Sequence, residues 1–184
     1  MQRPTPSAVT TVISSNPERA SPPCALAFEI AHNLEHQHQW TSIRIHEPYS
    51  LSPLQPMPLL TGIPPNTVYT HPDEQAYILE HSISMGDVPL EREWVIPTSQ
   101  GQKWSLSRLA GVFDSLLTIA EDELELDRHE QQANKTLQDF LRLKREKPWG
   151  GKRALLAMVN RGMGGDGTIV YYVVLEGAVK PRQN

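Results

Sequence analysis

Residues 32–36, "HNLEH", set His32, Glu35 and His36 in the order H-x-x-E-H. In zinc peptidases with this pattern, two imidazoles one helical turn apart hold the metal and the carboxylate acts as general base. His38 adds a third imidazole nearby. A second arrangement is "GMGGDG" at 162–167, which satisfies G-x-G-x-x-G, the spacing that brings backbone close to a dinucleotide pyrophosphate. A third is a set of residue types: Tyr69 or Tyr77, His81 and Lys152 supply the base, acid and cation that RNA phosphodiester transfer requires. A fourth is the basic run "RLKREKPWGGKR" at 142–153, which suits phosphate. Whether any of them can act depends on the elements that carry them.

Seventeen basic and 21 acidic residues among 184 give a net charge of −4, which argues against a stand-alone protein whose affinity comes from neutralising phosphates. The single cysteine, Cys24, has no internal disulfide partner, and no apolar run approaches the roughly 20 residues that span a bilayer. No basic start followed by an apolar signal core is visible. A reducing compartment, cytosol or nucleus, is therefore expected. With 39% hydrophobic residues, a chain of this length buries one core, and a single α/β domain over 24–184 is expected. Residues 1–23, rich in Pro, Ser and Thr, lack the apolar side chains that offset the entropy of ordering and are expected to form a disordered tail.

From Ala25 to Gln39, Leu26, Ile30 and Leu34 recur at helical spacing beside Ala27 and Ala31. "WTSIRIHE" then alternates like a strand. Seven prolines crowd residues 48–72, which predicts a long inserted loop without regular hydrogen bonding. "AYILEHSIS" (76–84) and "REWVIPT" (92–98) are expected as the next two strands, joined by a turn around Gly86 and Asp87. Ser105 or Ser107 can cap a helix whose stripe is Leu106, Leu109, Ala110, Phe113, Leu116, Leu117 and Ala120. A further helical stretch begins acidic, ends basic and keeps Ala133, Leu137, Phe140 and Leu141 on one side, and "PWGG" stops it. "RALLAMV" and "TIVYYVVL" are the closing strands, with the glycine-rich loop between them.

These elements dispose of most of the chemistry. At about 100° per residue, His32 and His36 fall opposite the Leu26–Ile30–Leu34 stripe and face water, on a convex surface without a third ligand. The G-x-G-x-x-G loop leads into a strand, so no helix terminus is available for a pyrophosphate. Nothing in the spacing brings Tyr69, Tyr77, His81 and Lys152 together. The cations of 142–153 suit a solvated helix end. No cofactor or metal is called for.

"ALLAMVNRGMGGDGTIVYYVVLEG" resembles the C-terminal hairpin of the tRNA-splicing endonuclease family: an apolar strand, an acidic loop and a strand bearing a Tyr-Tyr pair, here Tyr171 and Tyr172. "WVIPTSQGQKWSLSRLAGVF" and "AFEIAHNLEHQHQWTSIRI" are similar to blocks of the family's smallest, non-catalytic subunit. The resemblance covers discontinuous blocks from about 24 to 182 and leaves the Pro-rich loop and the helix after Leu124 unmatched. It implies a mixed sheet flanked by helices, like the restriction-endonuclease-like domain of the tRNA-intron endonucleases. It also implies a structural, non-enzymatic nuclear subunit (cytoplasm being the alternative site) in a heterotetramer of two catalytic and two structural chains. That assembly excises introns from precursor tRNA. Lys152 sits just before the penultimate strand, where the resemblance would place the family lysine, but no tyrosine-then-histidine motif precedes the helix, which leaves the lysine without partners. An active endonuclease using Tyr69 or Tyr77, His81 and Lys152 is the alternative, and a zinc hydrolase at His32, Glu35 and His36 a further one.

Along the last strand, Thr168, Val170 and Tyr172 point to one face and Ile169, Tyr171 and Val173 to the other. Both faces are largely apolar, which makes this strand a candidate subunit interface. A central strand buried by the chain's own helices is the alternative reading. Asp166, the only carboxylate in the loop, is the candidate acidic plug for a second dimer. The expected partner interface is therefore Asp166, Gly167, Ile169, Val170, Tyr171, Tyr172 and Val173. An isolated chain can also pair with itself.

Overall fold

The computed structural model describes residues 22–116, 133–146, 149, 151–160, 167–176 and 178–181. Helix α1 (Pro22–His36) leads into β1 (Thr41–His46) and β2 (Leu59–Ile63). Then follow α2 (Pro72–Glu80), β3 (Glu93–Ser99), α3 (Leu106–Ser115), α4 (Lys135–Glu146), β4 (Arg153–Val159), β5 (Ile169–Leu175) and β6 (Ala178–Pro181). The six strands form one sheet in chain order. Every neighbouring pair is antiparallel except β3 and β4, whose parallel pairing needs a long crossover, here the segment containing α3 and α4. This is the mixed sheet flanked by helices that the sequence implied.

The helical spacing of α1 buries Leu26, Ala27, Ile30 and Leu34 against Leu60, Val95, Leu155, Ala157, Tyr171 and Val173 on one sheet face. Trp40 closes the end of this layer over Gly62, where an added Cβ would lie 2.9 Å from the indole. The opposite face receives Val112, Phe113 and Leu116 of the α3 segment on Leu59, Ile96, Ala154 and Val174. Cover on both sides explains why "ALLAMV" of β4 is continuously apolar, whereas β5 is covered by α1 on one face and meets the α3 cluster on the other only through Val174. A third cluster joins Ile78 of α2 to Leu137, Phe140 and Leu141 of α4.

Several expectations are corrected. Residues 72–80 form α2, where a strand was expected from 76. His71 accepts from the Asp73 amide, Glu74 reaches back to the His71 amide, and Pro72 opens the first turn, where no amide partner is needed. A short apolar run does not separate helix from strand, and histidine is an unusual cap. The turn near Gly86 and Asp87 exists, with Asp87 N donating to Ser84 O, but it leads from α2 toward β3. Helix α1 starts at Pro22, ahead of the expected tail boundary at 23; residues 1–21 lie outside the description. On α3, Ser105 is the cap, but Leu106 is 87% exposed and Ala110 is exposed, with Val112 inward instead. Leu117 and Ala120, like the acidic start of the next helical stretch, lie outside the described residues.

The Pro-rich stretch is not without regular structure. Its proline-free "LLTGI" is the buried strand β2, and the preceding loop folds around Gln55, which is fully buried. The Gln55 amide nitrogen donates to Met57 O at 2.9 Å and Glu47 O at 3.0 Å, while its oxygen accepts from Leu51 N at 3.0 Å. These bonds stand in for the ladder that prolines forbid, and beside them the Tyr49 amide donates to the Gln55 carbonyl at 2.8 Å, with Tyr49 at φ 62°, a costly backbone for an aromatic residue. Gln55→Leu is expected to cost about 1–3 kcal/mol, because the loop carbonyls and amide lose their buried partners. Urea unfolding of the purified chain checks this.

Candidate functional site

His32, Glu35 and His36 are exposed on α1, away from its buried stripe. The two rings meet edge to face at 4.3 Å, and Glu35 lies 4.0 Å from His36 Nε2. His38 turns elsewhere, its ring against Tyr171 at 5.2 Å. Among the described residues no group of three His, Cys, Asp or Glu side chains is arranged to hold a metal ion. The zinc-like motif is therefore a surface of a helix whose other side makes the core.

The candidates for a ribonuclease-like trio are each engaged by local partners. Tyr77 stacks on His81 at 4.0 Å and packs beside Phe140 and Trp149 in the α2–α4 cluster. His81 is the C-cap of α2, not a strand residue, with Nδ1 2.9 Å from the Tyr77 carbonyl. Tyr69 packs against the core on the α1 side of the sheet. Lys152 faces the other way: its Nζ donates to the Phe113 carbonyl at 2.9 Å, at the end of α3. Helix α3 covers the face opposite α1, so the sheet stands between Tyr69 and the lysine. His46, on the α3 side, sits 5.2 Å from Trp94 and is bonded to Thr61 Oγ1. Burial, then Arg44 and Arg92, hold it below the usual histidine range.

The basic run 142–153 contributes instead to a buried ion network that sequence reasoning missed. Lys144 Nζ lies 2.7 Å from Glu74 and 2.9 Å from Glu91. Arg153 contacts Glu91 at 2.8 Å, grips Glu93 through two nitrogens and reaches the Tyr69 carbonyl. The β3–β4 register, Val95 beside Leu155, places Glu93 next to Arg153. Burial pushes the Glu93 carboxyl up, although Arg153 pulls the other way. Burial also acts upward on Glu91, but Lys144 and Arg153 overcome it and hold that group low. The network ties α2, the segment before β3, α4 and β4 together, a positioning role. Its only sequence signal was charge on otherwise core-bearing segments. Arg142, by contrast, is exposed and paired with Asp139.

At the C-terminal hairpin, β4 and β5 pair over their whole length, from Arg153 opposite Leu175 to Val159 opposite Ile169. Gly167 enters β5 with φ 77°, which suits glycine. Asp166 and the rest of 161–166 lie outside the described residues. Strand β5 leads from this loop as expected, so the glycine motif opens no helix. Ile169, Tyr171, Val173 and Leu175 face α1, where the Tyr171 hydroxyl donates to Asn33 Oδ1 at 2.6 Å. On the other face Val174 is buried under α3, Tyr172 is half-buried and Val170 is 39% exposed. Both backbone edges of β5 are used, by β4 and β6. The outer edge of β6 has no neighbouring strand among the described residues. At the other end of the sheet, β1 is interrupted by a register shift between Thr41 and Arg44, and Arg92 binds the Ser42 carbonyl there. Such irregularities discourage strand addition.

No helix among the described residues is long and apolar enough to cross a membrane. The sequence of a Neurospora crassa protein described as probable tRNA-splicing endonuclease subunit tsp-1 is 37% identical over 163 residues, covering 87% of this chain. This chain spans 66% of the length of that relative. A family model described as Sen15 protein matches residues 29–130 and 123–184, taking in the second half of α1, the hairpin and the sheet between them. The chain belongs to the Sen15 protein family.

Proposed function

We propose that this chain is a non-catalytic, structural subunit of a tRNA-splicing endonuclease, supporting intron excision from precursor tRNA by pairing with a catalytic subunit. Family membership and the Neurospora relative's description support the complex. The observation that carries the non-catalytic reading is Lys152. Its ammonium is engaged by the end of α3, with the sheet between it and Tyr69, while Tyr77 packs into the α2–α4 cluster and the exposed His81 stacks on it. A general acid and base must lie within hydrogen-bond reach of the reacting phosphate, and opposite faces of the sheet keep Tyr69 and Lys152 from sharing one.

In this reading the open β6 edge and the outer face of β5, with Val170 and Tyr172, meet the catalytic subunit. Main-chain hydrogen bonds supply affinity and side chains selectivity. Tyr171, Ile169 and Val173 support that face from the α1 side. Asp166, beside Gly167, is the acidic group that docks into the opposite dimer of a nuclear heterotetramer. The isolated chain can pair with itself through the same edge. The test is purification of the tagged chain from its source cell. Co-purification of the other endonuclease subunits in stoichiometric amount is the expected result; a chain recovered without them contradicts the proposal.

A further inference from the structure

Arg108 is a half-buried cation with no counter-charge among the described residues. Its guanidinium lies over the Trp104 ring at 4.8 Å, and Nη2 is 3.7 Å from Met57 Sδ. With the Gln102 amide oxygen turned toward it, the two Nη atoms find an acceptor at 3.0 and 2.8 Å. Nε is buried without a hydrogen-bond partner. Among the described residues no carboxylate lies within ion-pair distance of Arg108, whereas the buried cations Lys144 and Arg153 each hold two. Arg108 also stands in the first turn of α3, at the end where the helix dipole disfavours a cation. A cation drawn partly out of water calls for a partner, and no described carboxylate supplies one.

The surroundings say what kind of partner fits. The Trp104 indole donates to Thr98 Oγ1 at 3.0 Å. Thr98 is in register with Met158, and Met158 with Val170, so Trp104 and Arg108 stand over one end of a row that continues onto the outer face of the hairpin. Val170 is 39% exposed, and Met158 and Tyr172 are half-buried. A single guanidinium beside an aromatic ring and apolar side chains is the composition of a protein-binding hot spot. A polyanion needs several cations along its path.

We infer that Arg108, Trp104 and the adjoining Met158–Val170 surface receive a carboxylate set among apolar side chains on a partner subunit. The inference rests on the subunit reading above and extends its β5 face toward the start of α3. The acid meets the outward N–H groups of the guanidinium, supplying the negative charge that no described residue provides.

The test uses Arg108→Met in the full chain, co-expressed with the other subunits of the endonuclease. The expected result has opposite signs: the isolated variant is as stable as wild type or more so, because an unpaired charge is removed, while its affinity for the other subunits falls more than tenfold. A variant less stable than wild type that assembles normally makes Arg108 a residue of the fold and overturns the inference. Should the variant fail to fold, the wild-type chain gives the answer through arginine-selective dicarbonyl modification read by mass spectrometry. Arg108 is expected to react in the isolated chain and to be protected in the complex, and reactivity unchanged by assembly overturns the inference. Protection by precursor tRNA in place of the subunits makes the surface an RNA contact and does the same. A wild-type chain that forms no complex with those subunits overturns the functional reading, and this inference with it.

Discussion

Replacing Arg153 with methionine is expected to destabilise the purified chain by about 3–5 kcal/mol, the range for breaking a buried ion pair from one side. The magnitude comes from what is left behind. Glu93, 4% exposed, loses both nitrogens that grip it, and Glu91 loses one of its two cations. Lys144 then faces Glu74 and Glu91 alone. In the native chain the Glu93 carboxyl is held above its ordinary 4.5, so its contribution is fully present below that value and is lost as pH rises through the folded pKa. Glu91, held below 4.5, acts oppositely, and its contribution is lost as pH falls through the folded pKa. Without Arg153 both carboxyls move up, so the variant's deficit is greatest near neutrality and shrinks on acidification. Adding Glu93→Gln to Arg153→Met should recover part of the loss. Urea midpoints at neutral and mildly acidic pH measure all of this; a loss under about 1 kcal/mol would show that the network does not hold α4 and β4 in place.

The second large effect concerns the adjacent tyrosines, which the fold separates. Tyr172→Ala is expected to weaken assembly with the other subunits by about 2–4 kcal/mol, as truncating an aromatic anchor does. Tyr171→Phe removes only the hydroxyl bonded to Asn33, leaving that acceptor unsatisfied at about 1–3 kcal/mol of folding stability with assembly unchanged. Affinity for the subunits and urea unfolding, measured on each variant, give the two axes. Equal losses of assembly for both variants would contradict the division of β5 into an inner and an outer face.

Alternation alone separated Tyr171 from Tyr172 in the sequence, because a strand has a period of two whatever its neighbours. It did not say which face was inner, since Ile169, Tyr171 and Val173 are as apolar as the other row, and α1, far away in the chain, decides. The α1 stripe was legible for the same reason that the zinc motif dissolved: one helical period fixes both the buried leucines and the exposed histidines. Helix α2 was hidden because Ile78 is its only buried large apolar residue, with Leu79 71% exposed, and its cap is a histidine. Strand β2 was hidden by its flanking prolines, and Gln55 gave no sign that its amide would replace a hydrogen-bond ladder. The ion network depends on long-range register and on which charges burial brings together, and so does the lack of a described carboxylate beside Arg108. Lys144 and Arg153, which look like solvated cations in the sequence, have side chains 19% and 18% exposed.

Cleavage of precursor tRNA tests the central claim most directly. The full chain alone, and the other subunits with and without it, are assayed for the 2',3'-cyclic phosphate product. The account predicts no product from the chain alone, each missing acid-base group typically being worth about 10²–10⁴-fold. It also predicts restored cleavage when the chain joins the other subunits, and the same restored rate with a folded Lys152→Ala chain. Product from the isolated chain that Lys152→Ala abolishes would contradict it.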